Sequence, residues 1–310
     1  MPELPEVQTT TEGLRKTVLG QTITDVWTDL NSSNKLHTES AKNPAYFKKF
    51  KKEVVGRKIV SVERRAKNIL INISGNKTIL IHLKMTGHLM YGKYAYDKKL
   101  NKWAPDPKER NKALSDPFNR FIHVLFSLSS GKHLAFSDAR KFGKVVLLDT
   151  ATAHETLHLT KIGPEPLDED FDLKRFKERL AKKPTSAIKT VLMDQSVIAG
   201  IGNIYSDEML WLAGIHPEER VRNIPEAKLK PLFAGMKQVL KKGIDFGGDS
   251  LSDYRNIHGE RGEFQNKHNA YRKTGEPCGK RDCPGVILRK VVGGRSAHFC
   301  SEHQKLSTKN

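Results

Sequence analysis

The sequence predicts an α+β chain of several domains. A β-sandwich with a flanking helix comes first, and a helical domain and a cysteine-bearing β-hairpin follow. Short apolar runs separated by turn residues dominate residues 21–150, and apolar residues recur at helical spacing over residues 165–247. All three cysteines lie close together near the C-terminus. With 310 residues, the chain is long enough for two or three domains with cores of their own.

The first predicted domain opens with a short helix that carries Val7 and Leu14 on one side and then continues as strands. Two hairpins are expected from apolar runs that polar, glycine-containing turns connect: residues 69–73 with 78–83, and residues 121–128 with 133–137. Such antiparallel pairs are typical of a β-sandwich. The polar, lysine-rich stretch 91–119 lies between strands, and we interpret it as an exposed insertion.

The pattern changes near residue 150, where helical spacing replaces the strand pattern. Leu173, Phe176 and Leu180 recur at that spacing, as do the apolar residues between 229 and 240. A polar segment, which we expect to be mobile, then leads into the cysteine-bearing hairpin. The predicted domains are residues 2–150, 151–248, 249–269 and 270–310.

The chain is strongly basic, since 54 lysines and arginines against 35 aspartates and glutamates give a formal net charge of +19. This excess points to a polyanionic partner, and nucleic acid ranks above an anionic membrane. No run of about 18 apolar residues indicates a transmembrane helix. No secretory signal is apparent either. We therefore expect an intracellular protein that binds nucleic acid and no membrane.

The spacing of the three cysteines suits a metal. Cys278-x4-Cys283 and Cys300-x2-His303 are two close pairs of potential ligands, separated by the length of a hairpin. Thiolate and imidazole ligands in two such pairs favour tetrahedral zinc, and four protein ligands would make the site structural. His298 is a competing fourth ligand. The alternative to a metal site is three buried free cysteines.

The same terminal segment is basic. From residue 267 to the end it has ten lysines and arginines against three acidic residues, a net charge of +7, which predicts a contact with nucleic acid. Arg295 is expected near the turn of the hairpin. There it could reach into a duplex or make an ordinary phosphate contact.

The first six residues, MPELPE, allow two interpretations. Removal of Met1 would leave Pro2 with a secondary amine, and because an α-amino group titrates near pKa ~8, part of it is a neutral nucleophile at pH 7. Attack on an aldehyde-like carbon would give an iminium ion, and Glu3 and Glu6 are close enough to move protons for it. In the other interpretation, Pro5 and Glu6 only begin a helix.

Four further positions are candidates for contacts with nucleic acid. A Gly-x-Gly-Asn turn ending at Asn203 suits a phosphate, although a plain turn between helices can have the same residues. Lys67 precedes an apolar strand and could bring a second cation to a phosphate. Met85 and Phe142 lie beside basic residues at strand ends, where they are either core residues or wedges that fill a gap in a base stack.

Together these motifs resemble the formamidopyrimidine-DNA glycosylases, the Fpg/Nei group of base-excision repair enzymes, from Pro2 to Cys300. The resemblance rests on the opening PELPEV, residues 64–67 (Arg-Arg-x-Lys), 82–87, 138–143 and 195–203, and the cysteine hairpin with Arg295. It implies that the helical domain is a helix-two-turn-helix domain and that the hairpin is a zinc finger.

The resemblance also implies catalytic roles for the matching residues. Pro2 is expected to attack C1′ of the damaged nucleotide, and Glu3 is expected to transfer protons, with Glu6 in support. Lys67 is expected to contact the phosphate beside the lesion. Arg295 is expected to assist the second elimination step.

Other matching residues are expected to bind the opened DNA. The damaged base must leave the stack to be reached, and Met85, Arg140 and Phe142 would fill the void and contact the orphaned base. Asn203 would hold a phosphate. The stretch 254–264 resembles the loop that covers an oxidised purine in this family.

Two departures from the family pattern bear on these roles. The family often has Lys-His-x-His-Val before the central hairpin, and Phe121 replaces the first of these histidines, which weakens the case for one phosphate contact. His303 stands where the family usually has a cysteine, and the gap between Cys278 and Cys283 is two residues longer than usual.

We therefore expect a bifunctional DNA glycosylase and AP lyase. It would excise oxidised purines (8-oxoguanine and formamidopyrimidines) through a Pro2 Schiff base and cut the strand by β,δ-elimination, which requires that Met1 be removed. We expect a monomer of the cytoplasm or nucleoid that binds damaged double-stranded DNA and one structural zinc ion. The alternatives are a related glycosylase that prefers oxidised pyrimidines and a non-catalytic zinc-finger DNA-binding protein.

Overall fold

The computed structural model describes residues 1–34, 38–157, 159–251 and 253–307. The chain forms two compact units. The first comprises Met1–Thr160 and Phe246–Glu263, and the second comprises Lys161–Asp245 and Phe264–Asn310. No helix in the described parts of the chain is both long and apolar enough to cross a membrane.

The first unit is an antiparallel β-sandwich with two helices. In chain order its elements are α1 (Leu4–Thr17), β1 (Ile23–Thr28), α2 (Pro44–Val54), β2 (Ile59–Arg65), β3 (Asn68–Ile73), β4 (Lys77–His82), β5 (His88–Gly92), β6 (Tyr94–Asp97), β7 (Lys102–Pro105), β8 (Ile122–Leu128), β9 (His133–Ser137) and β10 (Lys144–Asp149). One sheet has the strand order β1-β8-β9-β5, and the other has the order β10-β4-β3-β2. The predicted sandwich with a flanking helix is confirmed.

The hairpin of β3 and β4 shows how the sequence determines the sheet. Gly75 and Asn76 in its turn have positive φ angles of 84° and 57°, which glycine and asparagine adopt more easily than other residues. The turn sets the register in which Ile73 pairs with Lys77. Alternate isoleucines then point into the core between the sheets, namely Ile69, Ile71, Ile73, Ile79 and Ile81.

Both helices of this unit complete that core. Val7 and Leu14 of α1 are buried in it, as the apolar spacing predicts. From α2, Phe50 packs edge-on against Phe126 of β8, with ring centroids 6.3 Å apart. The first unit thus has one continuous apolar core to which both sheets and both helices contribute.

The insertion 91–119 is more than the exposed loop that its composition suggests. It contains the β6–β7 hairpin and two short 3-10 helices, Lys112–Ser115 and Pro117–Arg120. Tyr94 and Leu114 are buried in a small second core with residues of β5, β8 and β9. These strand residues alternate with those that face the main core, so the insertion covers the outer face of one sheet.

The second unit is helical and ends in a hairpin. In chain order its elements are α3 (Leu173–Leu180), α4 (Ile188–Met193), α5 (Asn203–Ala213), α6 (Glu226–Asp245), β11 (Ile287–Val292) and β12 (Arg295–Cys300). Phe176 and Leu180 are buried, as are Leu232 and Met236 of α6, in agreement with the helical spacing of the sequence. The predicted helical domain and cysteine-bearing hairpin are confirmed.

The polar segment 249–269, which we expected to be mobile, is anchored by three apolar side chains. Tyr254 and Ile257 are buried in the first unit. Phe264 is buried in the second unit, where its ring stacks on that of Tyr205 at a centroid distance of 4.9 Å. The composition of the segment did not reveal these anchors, because each is a single residue between polar or charged neighbours.

The central position of Phe126 leads to a stability prediction. Replacing Phe126 with alanine leaves a cavity beside Phe50, and we expect the free energy of unfolding to fall by about 3–5 kcal/mol. Val60→Ala, at a side chain that is 62% exposed on β2, is the control and should change it by less than about 0.5 kcal/mol. Urea unfolding monitored by circular dichroism measures both variants, and equal effects would contradict the assignment of the core.

Candidate functional site

The start of α1 is fixed by two buried acidic residues. The backbone N–H of Glu3 donates to Glu6 Oε2 (2.6 Å), and the Glu3 carboxylate accepts from the backbone N–H of Glu6. This reciprocal capping satisfies amides that the first turn of a helix leaves unpaired. The helix-start interpretation of MPELPE is therefore correct, and it is compatible with chemistry at the buried Pro2, since it fixes Glu3 directly beside it.

The second oxygen of Glu6 holds a distant segment of the chain. Glu6 Oε1 accepts from the backbone N–H of Asp249 (2.7 Å), and the Glu6 carbonyl accepts from the Tyr254 hydroxyl (3.1 Å). Gly248 has a φ of 85°, and a Cβ there would lie 2.8 Å from Glu6 Cγ. Only glycine allows the backbone this close to Glu6 in this conformation.

Lys67 lies in the turn between β2 and β3 and is 6% exposed. Arg64 connects this turn to α1, because its Nε donates to Gln8 Oε1 (2.7 Å) and its Nη1 donates to the carbonyl of Ala66 (3.2 Å). Burial, with the charges of Lys84 and Lys67, lowers the pKa of His82 to about 3. His82 is accordingly neutral, and its Nδ1 accepts from the backbone N–H of Lys84 (3.0 Å).

Met85 and Phe142 project from the sandwich rather than into its core. Met85 is 37% exposed and Phe142 is 48% exposed, which is unusual for large apolar side chains. The Arg140 guanidinium lies over the Phe142 ring, 4.5 Å from its centroid, so the two side chains are ordered together. Of the two interpretations that the sequence allows, exposure favours the wedge over the core residue.

Asp138, the first residue of the 138–143 motif, connects the two loops that carry these side chains, a role that the motif alone does not predict. Its Oδ1 accepts a short hydrogen bond from the Thr86 hydroxyl, and its Oδ2 accepts from the backbone N–H of Gly143 (2.6 Å). The Thr86 hydroxyl in turn accepts from the backbone N–H of Arg140 (3.1 Å). Lys42 supports the second loop by donating to the carbonyl of Lys141 (2.6 Å).

In the second unit, Asn203 is the first residue of α5 and follows a turn that Gln195 organises. Gln195 Nε2 donates to the carbonyl of Ile201 (2.7 Å), and its Oε1 accepts from the backbone N–H of Gly200 (2.9 Å). Gly200 has a φ of 81°. Asn203 Oδ1 is buried and has no hydrogen-bond partner among the described residues. The turn thus presents a helix N-terminus, a usual position for an anion.

Asp207, one turn further along α5, ties this helix to the hairpin. Its Oδ1 accepts from Lys189 Nζ on α4 (2.5 Å), and both side chains are fully buried. Its Oδ2 accepts from the backbone N–H and Nδ1 of His298 on β12 (3.0 and 2.9 Å). His298, the competing metal ligand, is fixed through its Nδ1 to Asp207 and is not part of the cluster of potential ligands among the described residues.

The four residues that the spacing of the sequence singled out form one cluster. The ligand atoms of Cys278, Cys283, Cys300 and His303 all lie within 4.8 Å of one another. His303 Nε2 lies 3.0 Å from the carbonyl of Trp211, to which it donates, so its Nδ1 is free to face the three sulfurs. Three thiols and an imidazole nitrogen in this arrangement could hold one metal ion.

Arg295 is the first residue of β12 and lies, exposed, at the turn where the sequence placed it. It pairs with Val292 across Gly293 and Gly294. His123 corresponds to the second histidine of the Lys-His-x-His-Val pattern, in which Phe121 replaces the first. Its Nδ1 lies 2.8 Å from Asp29 Oδ1, so Asp29 engages this ring nitrogen.

The candidate residues fall into two groups. The expected catalytic residues Pro2, Glu3 and Lys67 lie in the first unit with the two exposed loops, and Asn203, Arg295 and the metal cluster lie in the second. Chemically, the first group offers a proline nitrogen beside a carboxylate, together with a buried lysine. The second group offers cations and a helix N-terminus to phosphates.

Known proteins match this chain over nearly its whole length. Residues 1–145 match the model of the formamidopyrimidine-DNA glycosylase N-terminal domain, and residues 162–255 match that of the formamidopyrimidine-DNA glycosylase H2TH domain. The formamidopyrimidine-DNA glycosylase of Herpetosiphon aurantiacus is 37% identical over 97% of this chain and 98% of its own length. That of Bacillus subtilis is 36% identical over 98% and 99%.

Solved structures agree with the sequence relatives. The complex of Lactococcus lactis Fpg with DNA containing an abasic site has a TM-score of 0.80, is 33% identical and covers 98% of this chain and 99% of its own. A complex of a mutant of that protein with DNA containing Fapy-dG also has a TM-score of 0.80, at 33% identity. The family inferred from the motifs is confirmed: the chain belongs to the formamidopyrimidine-DNA glycosylases of base-excision repair.

Proposed function

We propose that this protein excises oxidised purines from double-stranded DNA and then cuts the strand as an AP lyase. The observation that carries the proposal is the fixed Pro2–Glu3 pair at the start of α1 in a chain of this family. The L. lactis relatives, whose structures contain abasic-site and Fapy-dG DNA, support damaged DNA as the partner. The net charge of +19 supports a polyanionic partner as well.

The reaction would begin at the Pro2 nitrogen once Met1 has been removed. With Met1 attached, this nitrogen is an amide and its lone pair is delocalised. The free secondary amine would attack C1′, and the bond from C1′ to the base would break with its electron pair going to the base, which leaves with a proton. Glu3 would protonate O4′ as the sugar ring opens, leaving a cationic iminium between C1′ and Pro2.

Strand cleavage would follow from the iminium. Loss of a proton from C2′ expels the 3′ phosphate, and a second elimination expels the 5′ phosphate. Lys67 would stabilise the phosphate charge next to the lesion, and Arg295 would assist the second elimination. Water would then hydrolyse the iminium and regenerate Pro2, with Glu3 moving the protons.

The exposed side chains of the two loops would hold the gap in the DNA open. A base that leaves the stack costs a few kcal/mol, which apolar side chains inserted in its place can offset. Met85 and Phe142 are exposed, which supports this role, and Arg140, whose guanidinium lies over the Phe142 ring, would contact the orphaned base. Glu6 would support the reaction by fixing the position of Glu3.

We assign one role in the proposed reaction to each predicted domain. Residues 2–150 would carry the chemistry, 151–248 would bind DNA with Asn203 on a phosphate, 249–269 would cover the lesion, and 270–310 would form the zinc-finger hairpin. We also propose that the protein acts as a monomer in the cytoplasm or nucleoid.

The metal is proposed to be one structural zinc ion held by Cys278, Cys283, Cys300 and His303. Three thiolates and one neutral imidazole are a usual zinc set, and they leave no position for a reactive water. Bound zinc would hold the two ends of the hairpin together, because one pair of ligands precedes β11 and the other follows Phe299.

The nucleophile can be tested by borohydride trapping on duplex DNA that contains 8-oxoguanine. The wild-type chain should form a covalent adduct, Pro2→Gly should lose it, and Glu3→Gln should slow its formation about 100-fold. Glu12→Gln, an exposed glutamate on the same helix, is the control and should behave as wild type.

Further variants and substrates separate the alternatives. A chain with an uncleaved N-terminal extension should form no adduct, and the intact mass of the active protein should lack Met1. Wild-type protein without an adduct, or an unchanged adduct in Pro2→Gly and Glu3→Gln, would refute the proposal.

The choice of substrate separates the alternative functions. Faster cleavage of thymine glycol than of 8-oxoguanine would favour a glycosylase for oxidised pyrimidines, and DNA binding without strand scission would favour a non-catalytic DNA-binding protein.

Zinc content tests the fourth ligand. His303→Ala should reduce zinc affinity by about tenfold or more, whereas His303→Cys should retain one zinc per chain. His298→Ala should also retain it, because His298 lies outside the cluster of ligand atoms. Mass spectrometry of the metal after dialysis against a weak chelator measures all three variants. Zinc lost from His298→Ala but kept by His303→Ala would reverse the assignment.

Replacement of Asp138 tests the connection between the two loops that carry Met85 and Phe142. Asp138→Ala leaves buried donors on Thr86 and Gly143 without an acceptor, and we expect the free energy of unfolding to fall by about 2–4 kcal/mol. Asp149→Ala removes a solvent-exposed ion pair with Lys77 and should cost about 0–1 kcal/mol. Urea unfolding gives both values. Indistinguishable values would show that Asp138 does not hold the loops.

A further inference from the structure

The insertion 91–119 contacts a second part of the first unit through polar side chains. Asn111 Nδ2 donates to the carbonyl of His258 (2.7 Å), and Asn119 Nδ2 donates to the carbonyl of Gly259 (3.1 Å). Both acceptors lie in the stretch 254–264, to which the resemblance assigns the covering of the damaged base. The insertion itself has no role in the family pattern that the sequence matches.

An ion pair reinforces this contact. Arg255 Nη2 lies 3.2 Å from both carboxylate oxygens of Asp116, and the side chains are 3% and 26% exposed. The Arg255 guanidinium also lies over the Phe118 ring, 4.7 Å from its centroid. An ion pair that is largely shielded from water is costly to break from one side, because the remaining charge stays buried.

Asn119 is the centre of the contact and is 1% exposed. Its amide nitrogen donates to two carbonyls, those of Gly259 and Ala113, so its oxygen accepts from His88 Nε2 (2.9 Å). His88 begins β5, three residues after Met85. One buried side chain therefore joins the insertion to the 254–264 stretch and to the strand that follows the Met85 turn.

The fit of the backbone at Gly259 is close. Gly259 has a φ of 80°, and a Cβ there would lie 2.8 Å from Asn119 Nδ2 and 3.0 Å from the carbonyl oxygen of Ala113. A side chain would thus displace the insertion from the stretch. On the opposite side the stretch packs against α1. The Tyr254 hydroxyl donates to the Glu6 carbonyl, and Ile257 lies so close to Gly13 that a Cβ at Gly13 would clash with Ile257 Cγ2.

We propose that residues 111–119 of the insertion are a brace that fixes the 254–264 stretch against α1 and so positions it over the damaged base. This inference rests on the proposed function, since it gives the stretch its ligand. Asp116, Asn119 and Asn111 are positioning residues, which act through the backbone and Arg255 of the stretch. The brace determines how well an oxidised base is held and leaves the chemistry at Pro2 untouched.

Two substrates separate positioning from chemistry. Excision of 8-oxoguanine needs the base to be covered, whereas cleavage of a preformed abasic site does not, because no base is present. Asp116→Asn keeps the hydrogen bond to the backbone N–H of Phe118 but removes the charge that faces Arg255. We expect kcat/KM for 8-oxoguanine duplex to fall about tenfold and abasic-site cleavage to stay within about twofold of wild type.

Matched variants show that the effect belongs to the brace. Asp97→Asn makes the same charge change at an exposed position of the same insertion and should behave as wild type on both substrates. Asp116→Glu retains the charge and should recover part of the lost excision. Hydrogen exchange of the backbone amides at 254–262 should be faster in Asp116→Asn than in Asp97→Asn, whatever substrate is used.

The outcomes are distinguishable. If Asp116→Asn has wild-type activity on both substrates, or loses activity on both equally, the role of the brace in holding the base is overturned. Unchanged hydrogen exchange at 254–262 overturns the brace itself. A wild-type chain that cleaves neither substrate overturns the proposed function, and hydrogen exchange then decides the brace alone.

Discussion

The buried carboxylate of Glu6 is the interaction on which the proposed site depends. One oxygen fixes the backbone of Glu3, and the other fixes the backbone of Asp249, 243 residues along the chain. A buried carboxylate is tolerated only when hydrogen bonds replace its lost hydration, and here both oxygens accept from backbone N–H groups. The same group that begins α1 therefore also anchors the start of the segment that continues to Tyr254. The proposed nucleophile and the segment proposed to cover its substrate thus share one anchor.

Other buried carboxylates repeat this arrangement. Asp138 joins two loops, Asp207 joins α4, α5 and β12, and Glu208 accepts from the backbone N–H groups of Asn269, Ala270 and Tyr271. In a chain with 54 basic and 35 acidic residues, the acidic side chains that are buried hold loops together inside the protein. The excess positive charge is then left to the surface, where it can attract the phosphates of DNA at long range.

The sequence predicted the elements whose signals are local. Gly75 and Asn76 mark a turn between apolar runs, and the spacing from Cys278 to His303 marks a cluster, so both follow from neighbouring residues. Residues paired across long stretches of chain could not be predicted in this way. Nothing near Asp138 or Asn119 in the sequence indicates Thr86 or Gly259 as a partner, because those contacts exist only once the sandwich has formed.

The replacement of a usual cysteine by His303 has an electrostatic consequence. Zinc with four thiolates carries a charge of −2, whereas zinc with three thiolates and a neutral imidazole carries −1. The hairpin lies in a segment of net charge +7 that is proposed to meet phosphates, so the smaller negative charge opposes that contact less. The anchoring of His303 Nε2 on the Trp211 carbonyl holds the ring in the tautomer that this neutral ligand requires. The histidine would thus keep the proposed zinc site closed and make the net charge of the hairpin more positive than a fourth cysteine would.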